Sequence, residues 1–221
     1  MIIKSPSRLH LTLIDMNGSY GRIDGGIGLT IKDPNFVLYG EPAEKGITVD
    51  FKDNTQFNDV IRNECVSKIT SAAQKVIDHF DIDEGFYFRV DKAYLPHSGL
   101  GSGTQMGLST EKLIAEYIGA YSNGYSLGEI IGRGGTSGIG VFSFDFGGFI
   151  VDGGHSLKSK SSFLPSSASQ AKPPQLLAHY DFPDDWEILL VILDSKNTVN
   201  GQKEVNIFQD YCPVPKNEVE Q

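Results

Sequence analysis

Residues 96–105 read Pro-His-Ser-Gly-Leu-Gly-Ser-Gly-Thr-Gln, and they carry the strongest structural signal in the chain. An alternating apolar run at 86–90 precedes them and predicts a β-strand, and a helical pattern of apolar residues follows. Glycine at every second position favours positive φ angles that turn backbone N–H groups toward an anion. The start of a helix adds unpaired donors and a partial positive charge. The stretch therefore predicts either a phosphate-binding loop or a structural strand-to-helix turn.

Composition limits the classes of protein to which the chain can belong. It has 221 residues, of which 39% are apolar and 21% charged, and a formal charge of -9. This acidity argues against a nucleic-acid partner, which requires clustered Lys and Arg. The short apolar runs and the polar N-terminus argue against membrane insertion and export, so we expect a cytoplasmic location. Cys65 and Cys212 lack the spacing of a zinc site or a disulfide framework.

Hydrophobic periodicity predicts a mixed fold. Short β-favouring runs separated by glycines fill the first 51 residues, and apolar residues at helical spacing over 57–80 predict the clearest helix. A second amphipathic helix is expected over 106–121, and Ser126 and Glu129 have capping-box spacing for a third. The apolar runs at 141–146 and 149–151 resemble a hairpin.

The domain boundaries follow from changes in composition. Residues 1–158 are predicted to form a complete α+β domain with the glycine loop at its centre. Residues 159–183, rich in Ser, Ala, Lys and Pro at their start, are predicted to be a flexible linker. Residues 184–221 are predicted to begin a second, truncated domain, with a buried-type strand at 186–193.

Two common phosphate-binding motifs are missing. The sequence has no GxxxxGK[ST], and Thr104 stands where a dinucleotide fingerprint has its third glycine. The segment Val151-Asp152-Gly153-Gly154 is faintly similar to a phosphoribosyl-diphosphate loop, but it has one acid where a pair is expected. We treat that similarity as chance.

The glycine loop resembles the second motif of the GHMP superfamily of small-molecule kinases, P-x-x-x-G-L-G-S-S-A. The matching residues are Pro96, Gly99, Leu100, Gly101 and Ser102, whereas Gly103 and Thr104 replace the usual small pair. Residues 6–11 lie where the superfamily has its first motif, and 135–140 resemble its G-x-x-S-G-I-D segment. Gly140 stands in place of the aspartate that is the proposed catalytic base in several of these kinases, so a kinase would need Asp145 or no base.

Five separated stretches, in order, resemble the β-ribofuranosylaminobenzene 5'-phosphate synthases, a methanopterin-pathway family built on the GHMP fold. They are PSRLHLTLIDMNG, YGRIDGGIGLTI, PHSGLGSGTQ, GRGGTSGIGVFSFDFGGFIVDGGH and YCPVP. This resemblance implies a transferase that joins phosphoribosyl diphosphate to 4-aminobenzoate, or a similar aromatic acid, with loss of carbon dioxide and diphosphate. An ATP-dependent GHMP kinase and a non-catalytic remnant that binds a ligand or partner stay as alternatives.

The same resemblance implies a ribosomal protein S5 domain 2-like first domain, followed by an incomplete ferredoxin-like domain. Its small-molecule partners would be a phosphorylated sugar and an aromatic acid. Its protein partner would be a second copy in a homodimer or a separately encoded C-terminal half. Mg²⁺ is the expected cofactor, with Ser102 as a candidate ligand.

Candidate site residues fall into three groups, each with a structural alternative. Phosphate binding is assigned to Pro96, Gly99, Leu100, Gly101, Ser102, Gly103, Thr104 and Ser137. Substrate binding is assigned to Arg8, Arg22 and Arg133, because guanidinium groups bind phosphate and carboxylate in a bidentate manner. Catalytic roles are assigned to Asp24, which either holds Mg²⁺, steadies a ribosyl cation or forms a turn, and to His10, His97 and His155 as proton carriers.

Overall fold

The computed structural model describes residues 1–52, 57–166, 168–192, 199 and 201–221. The strands are β1 (Ile2–Asp15), β2 (Arg22–Ala43), β3 (Ile47–Phe51), β4 (Gly85–Lys92), β5 (Phe149–Asp152), β6 (His155–Ser156) and β7 (Leu176–Tyr180). The helices are α1 (Asp59–Phe80), α2 (Ser102–Tyr117), α3 (Gly124–Ile131), α4 (Ile139–Asp145), α5 (Gln202–Tyr211) and α6 (Lys216–Val219).

The strands form one mixed sheet in the order β3-β4-β2-β5-β7, and the long strand β2 also pairs with β1 and β6. β3 is parallel to β4, and the other pairings are antiparallel. Helices α1 and α2 pack on each other, and α2 also lies against β1 and β2. The predicted α+β class is confirmed.

Local sequence explains the ends of α1 and the approach of α4 to the sheet. The Asn58 side chain accepts a hydrogen bond from the Ile61 N–H at 2.9 Å and caps α1. Gly28 on β2 has no side chain to obstruct α4, since a Cβ there would lie 2.1 Å from Cγ2 of Ile139. The predicted helix at 57–80 is confirmed, beginning two residues later than expected.

Three local predictions differ from the structure. Residues 141–146, expected as half of a hairpin, belong mostly to α4. The capping box of α3 pairs Asn123 with Ser126, three residues earlier than the predicted box. Within 159–183, expected as a flexible linker, β7 adds a strand to the sheet.

The expected strand at 186–193 is not observed over its described part. Residues 186–192 have no regular structure, and Leu193 lies outside the described residues. Trp186 is 65% exposed and Leu189 is 87% exposed, so this apolar run lacks the packing that would make it a core strand. The division of the chain into domains stays a prediction. Among the described residues, no helix combines the length and apolar character needed to cross a membrane.

Candidate active site

The glycine loop lies between β4 and α2 and has the predicted backbone. Gly99 and Gly101 have φ angles of +80° and +78°, a region that favours glycine. Gly101 is the N-cap residue of α2, and within the part of the chain that the structure describes no side chain caps this end of the helix. The unpaired N–H groups of the first turn therefore remain available to an anion.

Arg8 links β1 to this loop through two hydrogen bonds. Its backbone N–H donates to the Leu100 carbonyl at 3.0 Å, and its guanidinium Nη1 donates to the Gly99 carbonyl at 2.6 Å. A Cβ at Gly101 would lie 3.1 Å from the Arg8 side chain, so the guanidinium lies directly over the bare backbone. Burial lowers the pKa of Arg8, while the fields of Tyr94 and Glu204 oppose that shift. The loop thus has a desolvated cation beside its free donors.

A cavity of about 520 Å³ opens beside the loop. Its charged and titratable lining is mainly basic: Arg8, Lys68, Arg133, His10 and His97, opposed by Glu64 and Glu204. Phe208 and Glu204 of α5 lie on its lining as well. We call this space the loop cavity. Three Lys and Arg side chains thus face the loop predicted to bind phosphate, against two carboxylates.

Lys68 and Arg133 flank the first turn of α2. Lys68 Cε and Arg133 Nη2 would each lie 3.7 Å from a Cβ at Gly103. Lys68 Nζ lies 3.7 Å from Glu64 on the same helix, and burial lowers the pKa of Arg133. Arg133 was predicted from its motif. Lys68 was missed, because only the packing of α1 on α2 brings it to the loop.

His10 is the buried histidine of the loop cavity. Burial, with the nearby charge of Arg8, lowers its pKa to about 4, so the ring is neutral at physiological pH. Its Nε2 atom is buried and has no hydrogen-bond partner among the described residues. Around a Cβ built on Gly26, that Nε2 would lie 3.2 Å away and Ser137 Oγ 2.8 Å away. A neutral imidazole acceptor and a hydroxyl thus face one small space.

Asp152 holds the third motif in position. Its Oδ2 accepts hydrogen bonds from the Ser137 hydroxyl at 3.1 Å and the Gly138 N–H at 2.9 Å, and its Oδ1 accepts from the Gly154 N–H at 3.0 Å. Burial raises the pKa of this carboxyl, and these hydrogen bonds oppose the shift. Asp152 therefore positions Ser137, and its Oδ2 also lies 2.6 Å from a Cβ built on Gly26, in the small space that His10 Nε2 faces.

Asp24 and His155 are brought together, away from solvent. His155 Nδ1 lies 2.8 Å from Asp24 Oδ2, and Lys160 Nζ donates to the same oxygen at 2.9 Å. Lys160 also donates to Thr136 Oγ1 at 3.0 Å, and His155 Nε2 lies 2.9 Å from the Lys172 carbonyl. The cluster links β2 to Thr136, which lines the loop cavity. Its polar contacts are those of a structural unit supporting the cavity wall.

The remaining predicted residues lie in different places. His97 lines the loop cavity, half exposed, with Nε2 3.9 Å from Glu64. Arg22 donates to the Gly153 and Gly154 carbonyls and is not on the cavity lining. The cavity is lined by Gly99, Gly101, Ser102, Gly103, Thr104 and Ser137, whereas Pro96 and Leu100 lie off its lining.

Position 140, where several GHMP kinases have the proposed catalytic aspartate, is a glycine in this chain. Gly140 packs against Thr104, and its carbonyl accepts a hydrogen bond from Gln105 Nε2 at 2.8 Å. Both oxygens of Asp145 accept from the Gly124 N–H at 2.8 Å, and this carboxylate is not on the cavity lining. Asp145 therefore caps α3 and does not replace the missing base.

Oxygen ligands for a metal ion are sparse. Among the described residues, no three His, Cys, Asp or Glu side chains form a group that could hold one. Mg²⁺ commonly keeps its waters and binds one or two protein oxygens together with substrate phosphates. The Ser102 hydroxyl and the Glu64 and Glu204 carboxylates on the cavity lining fit that limited set.

Comparisons with known proteins place the chain in a family. The β-ribofuranosylphenol 5'-phosphate synthase of Methanocaldococcus jannaschii is 44% identical over 225 residues, covering 100% of this chain and 67% of that protein. The chain belongs to the β-ribofuranosylphenol 5'-phosphate synthase family. The member from Methanothermobacter thermautotrophicus is 51% identical over 220 residues, which is 100% of this chain and 66% of that synthase. The member from Archaeoglobus fulgidus is 44% identical and is covered over 64% of its length.

The chain thus spans about two thirds of the length of these synthases. A search of protein-family models finds no match. Among solved structures, 4-(cytidine 5'-diphospho)-2C-methyl-D-erythritol kinase has a TM-score of 0.52 at 14% identity, covering 80% of this chain and 55% of that kinase. The mevalonate kinase of Methanococcus jannaschii has a TM-score of 0.50 at 18% identity, covering 68% of this chain and 52% of that kinase. These likenesses confirm the GHMP-type fold.

Proposed function

We propose that this chain carries the donor site of a phosphoribosyl transferase that couples phosphoribosyl diphosphate to an aromatic acid. The observation that supports it most is the position of Arg8 over the bare backbone of Gly101, beside the uncapped start of α2. Departing diphosphate carries charge that must be stabilised as the bond to ribose C1 breaks. Backbone donors and guanidinium groups fixed beforehand supply that stabilisation without reorganisation.

The reaction balances without an external acid or base. The bond between ribose C1 and the diphosphate oxygen breaks, and diphosphate leaves with the electron pair. The ring carbon that bears the carboxylate then bonds to C1. The bond from that carbon to the carboxylate breaks, its electrons restore the aromatic ring, and carbon dioxide leaves. Mg²⁺ bound to the diphosphate would supply further charge neutralisation, with Ser102 as its candidate protein ligand.

His10 is proposed to receive the acceptor. Its neutral Nε2 has no hydrogen-bond partner among the described residues, and in the tautomer protonated on Nδ1 it accepts a hydrogen bond from the 4-amino or 4-hydroxy group of a benzoate. The names of the relatives contain phenol rather than aminobenzene, which favours a 4-hydroxybenzoate acceptor over the expected 4-aminobenzoate. His97 is the exposed alternative in the same cavity, and His155 is already engaged on both ring nitrogens.

A kinase is the weaker proposal for this site. Phosphoryl transfer benefits from a residue that orients or deprotonates the attacking hydroxyl. Gly140 has no such group, and Asp145 is committed to the Gly124 N–H. The kinases of similar fold share 14–18% identity with this chain, and that likeness concerns the fold alone.

The remainder of a larger protein is the proposed partner. The apolar run at 186–192 is exposed, with Leu189 at 87% and Val191 at 75%. The relatives are half as long again as this chain, so a further segment of about their remaining third, or a separately encoded half, fits this surface. A homodimer is the other arrangement that would cover it.

Release of labelled carbon dioxide tests the transferase directly. The chain, alone and with the remaining third of a relative supplied separately, is incubated with phosphoribosyl diphosphate, Mg²⁺ and carboxyl-labelled 4-hydroxybenzoate or 4-aminobenzoate. We expect donor-dependent release that Arg8→Met abolishes and Lys45→Met leaves intact. The proposal would be overturned if neither mixture released labelled carbon dioxide and the chain instead phosphorylated an alcohol with ATP.

A further inference from the structure

A second cavity adjoins the loop cavity. Its volume is about 490 Å³, and it lies between α1, the start of α2 and the end of α3. Lys68, Gly103, Arg133 and Ser166 line both spaces, so the two are contiguous at the first turn of α2. We call this second space the helix cavity.

The chemistry of the helix cavity is that of an anion site. Three cations line it, Lys68, Lys75 and Arg133, and its described lining contains no carboxylate. Hydroxyl groups of Ser67 and Ser71 on α1 add donors beside the two lysines. Glu64 on the adjoining loop cavity pairs with Lys68 at 3.7 Å, so Lys75 and Arg133 are the cations that attract a compact anion into this cleft.

The nearest buried acid does not cancel this charge. Glu111, on α2 one turn after the lining residue Gly107, is fully buried, and neither carboxyl oxygen has a hydrogen-bond partner among the described residues. Burial raises its pKa to about 9, against an opposing contribution from Lys75. Glu111 is therefore neutral at physiological pH and does not offset the positive charge of Lys75.

A phosphate held at the glycine loop does not reach Lys75, which lines the helix cavity but not the loop cavity. Lys75 follows Lys68 by seven residues on α1, which places it two helical turns, about 10 Å, farther along the axis. A ligand that uses both ends must carry two separate anionic groups joined by a neutral spacer. A phosphorylated pentose diphosphate has that form, with a phosphate monoester on one side of the sugar and a diphosphate on the other.

We propose that the helix cavity binds the phosphate monoester of the sugar donor, while the glycine loop holds its diphosphate. This inference rests on the proposed function, since it assigns the second end of the same donor. Lys68 and Arg133 lie between the two anions and neutralise both. Lys75 and Ser71 contact the monoester alone.

A structural role for Lys75 must be separated from ligand binding. Its Nζ donates to the Ile131 carbonyl at 2.7 Å and so caps the end of α3. Ser71 is the sharper position for a test, because it is exposed on α1 and Glu is a good helix former. Ser71→Glu introduces a carboxylate into the helix cavity without removing the Lys75 cap. Asn63→Glu makes the same change of charge at an exposed position of α1 outside both linings.

Calorimetric titration with ribose 5-phosphate and, separately, with diphosphate and Mg²⁺ tests the assignment. We expect Ser71→Glu to lower the affinity for ribose 5-phosphate by about tenfold or more and to change the affinity for diphosphate by less than about twofold. In Asn63→Glu, both affinities should equal those of the wild type. Ribose 5-phosphate affinity unchanged in Ser71→Glu, with diphosphate still bound, would overturn this inference alone. Wild-type chain that binds neither ligand would overturn the proposed function with it.

Discussion

The Nδ1 atom of His155 lies 2.8 Å from Oδ2 of Asp24, and both side chains are buried. Lys160 Nζ reaches the same carboxylate oxygen and is also buried. Charged groups removed from water in this way are stable only while they remain paired. The carboxylate therefore holds together β2, β6 and the segment around Lys160, which contacts Thr136 on the lining of the loop cavity.

Asp24→Asn should destabilise the protein strongly. The φ angle of Asp24 is +65°, which Asn tolerates well, so the change removes charge without adding backbone strain. Leaving Lys160 buried without its counter-ion costs about 3–5 kcal/mol. Urea unfolding would measure the loss. Lys92→Met, which breaks an exposed pair with Asp33, is the matched control and should change stability far less; equal losses in the two variants would contradict the structural role.

Glu111→Gln should stabilise the protein at neutral and alkaline pH. The folded-state pKa of Glu111 is raised from 4.5 to about 9, so the folded protein binds this proton more tightly than the unfolded chain does. Stability is then greatest below pH 4.5 and falls as the pH rises toward 9. The glutamine variant should lose this dependence, with a gain on the order of a few kcal/mol at pH 8.

Unfolding free energies measured from pH 5 to pH 9 would show this difference. Glu116→Gln is the control, because Glu116 is an exposed residue of the same helix that pairs with Lys112. Parallel pH profiles for wild type and Glu111→Gln would show that the buried carboxyl is ionised in the folded protein.

The His10 imidazole should titrate far below the ordinary value for histidine. Burial and the charge of Arg8 lower its pKa to about 4. Because the folded-state pKa is depressed, the stability this group contributes is present above its unfolded value of 6.5 and is lost as the pH falls toward 4. NMR titration of the ring protons, assigned with a His10→Gln variant, checks the midpoint; a midpoint near 6.5 would mean that the ring is solvated.

The two thiols should differ in reactivity. Burial raises the pKa of Cys65 to about 12, and its side chain is fully buried, so its thiolate is scarce and inaccessible. Cys212 is partly exposed and is a free thiol. A thiol reagent at pH 8 should label Cys212 within minutes and Cys65 only after unfolding, as peptide mass spectrometry would show. Rapid labelling of Cys65 in the folded chain would contradict its burial.

The sequence was most informative where function depends on backbone shape. Glycine at 99 and 101 predicted the positive φ angles and the start of α2, because few other residues adopt that conformation. Arg8 and Arg133 could be identified from the motifs around them. Lys68 could not, since it belongs to a helix far from the loop in sequence and only tertiary packing brings the two together.

Short apolar runs were the least informative. Residues 141–146 became a helix and 186–192 became irregular, because periodicity alone does not distinguish a short buried helix from a strand. Lys160 lies in a polar stretch without a motif, and nothing local indicates that its amine is buried against Asp24. Nothing in the sequence around Asp152 indicates its structural role, in which hydrogen bonds to Ser137 and Gly138 fix the third motif.

Binding of phosphoribosyl diphosphate with Mg²⁺ to Gly101→Val tests the central claim most directly. Valine would strain a φ of +78° and bring Cβ to 3.1 Å from Arg8, displacing the guanidinium that is proposed to bind the diphosphate. Gly119→Val imposes the same strain at φ +70° with no atom within 4 Å of its Cβ, so it controls for stability. We predict that calorimetry will show a loss of affinity of about tenfold or more in Gly101→Val and none in Gly119→Val. Equal affinity in wild type and Gly101→Val would contradict the account.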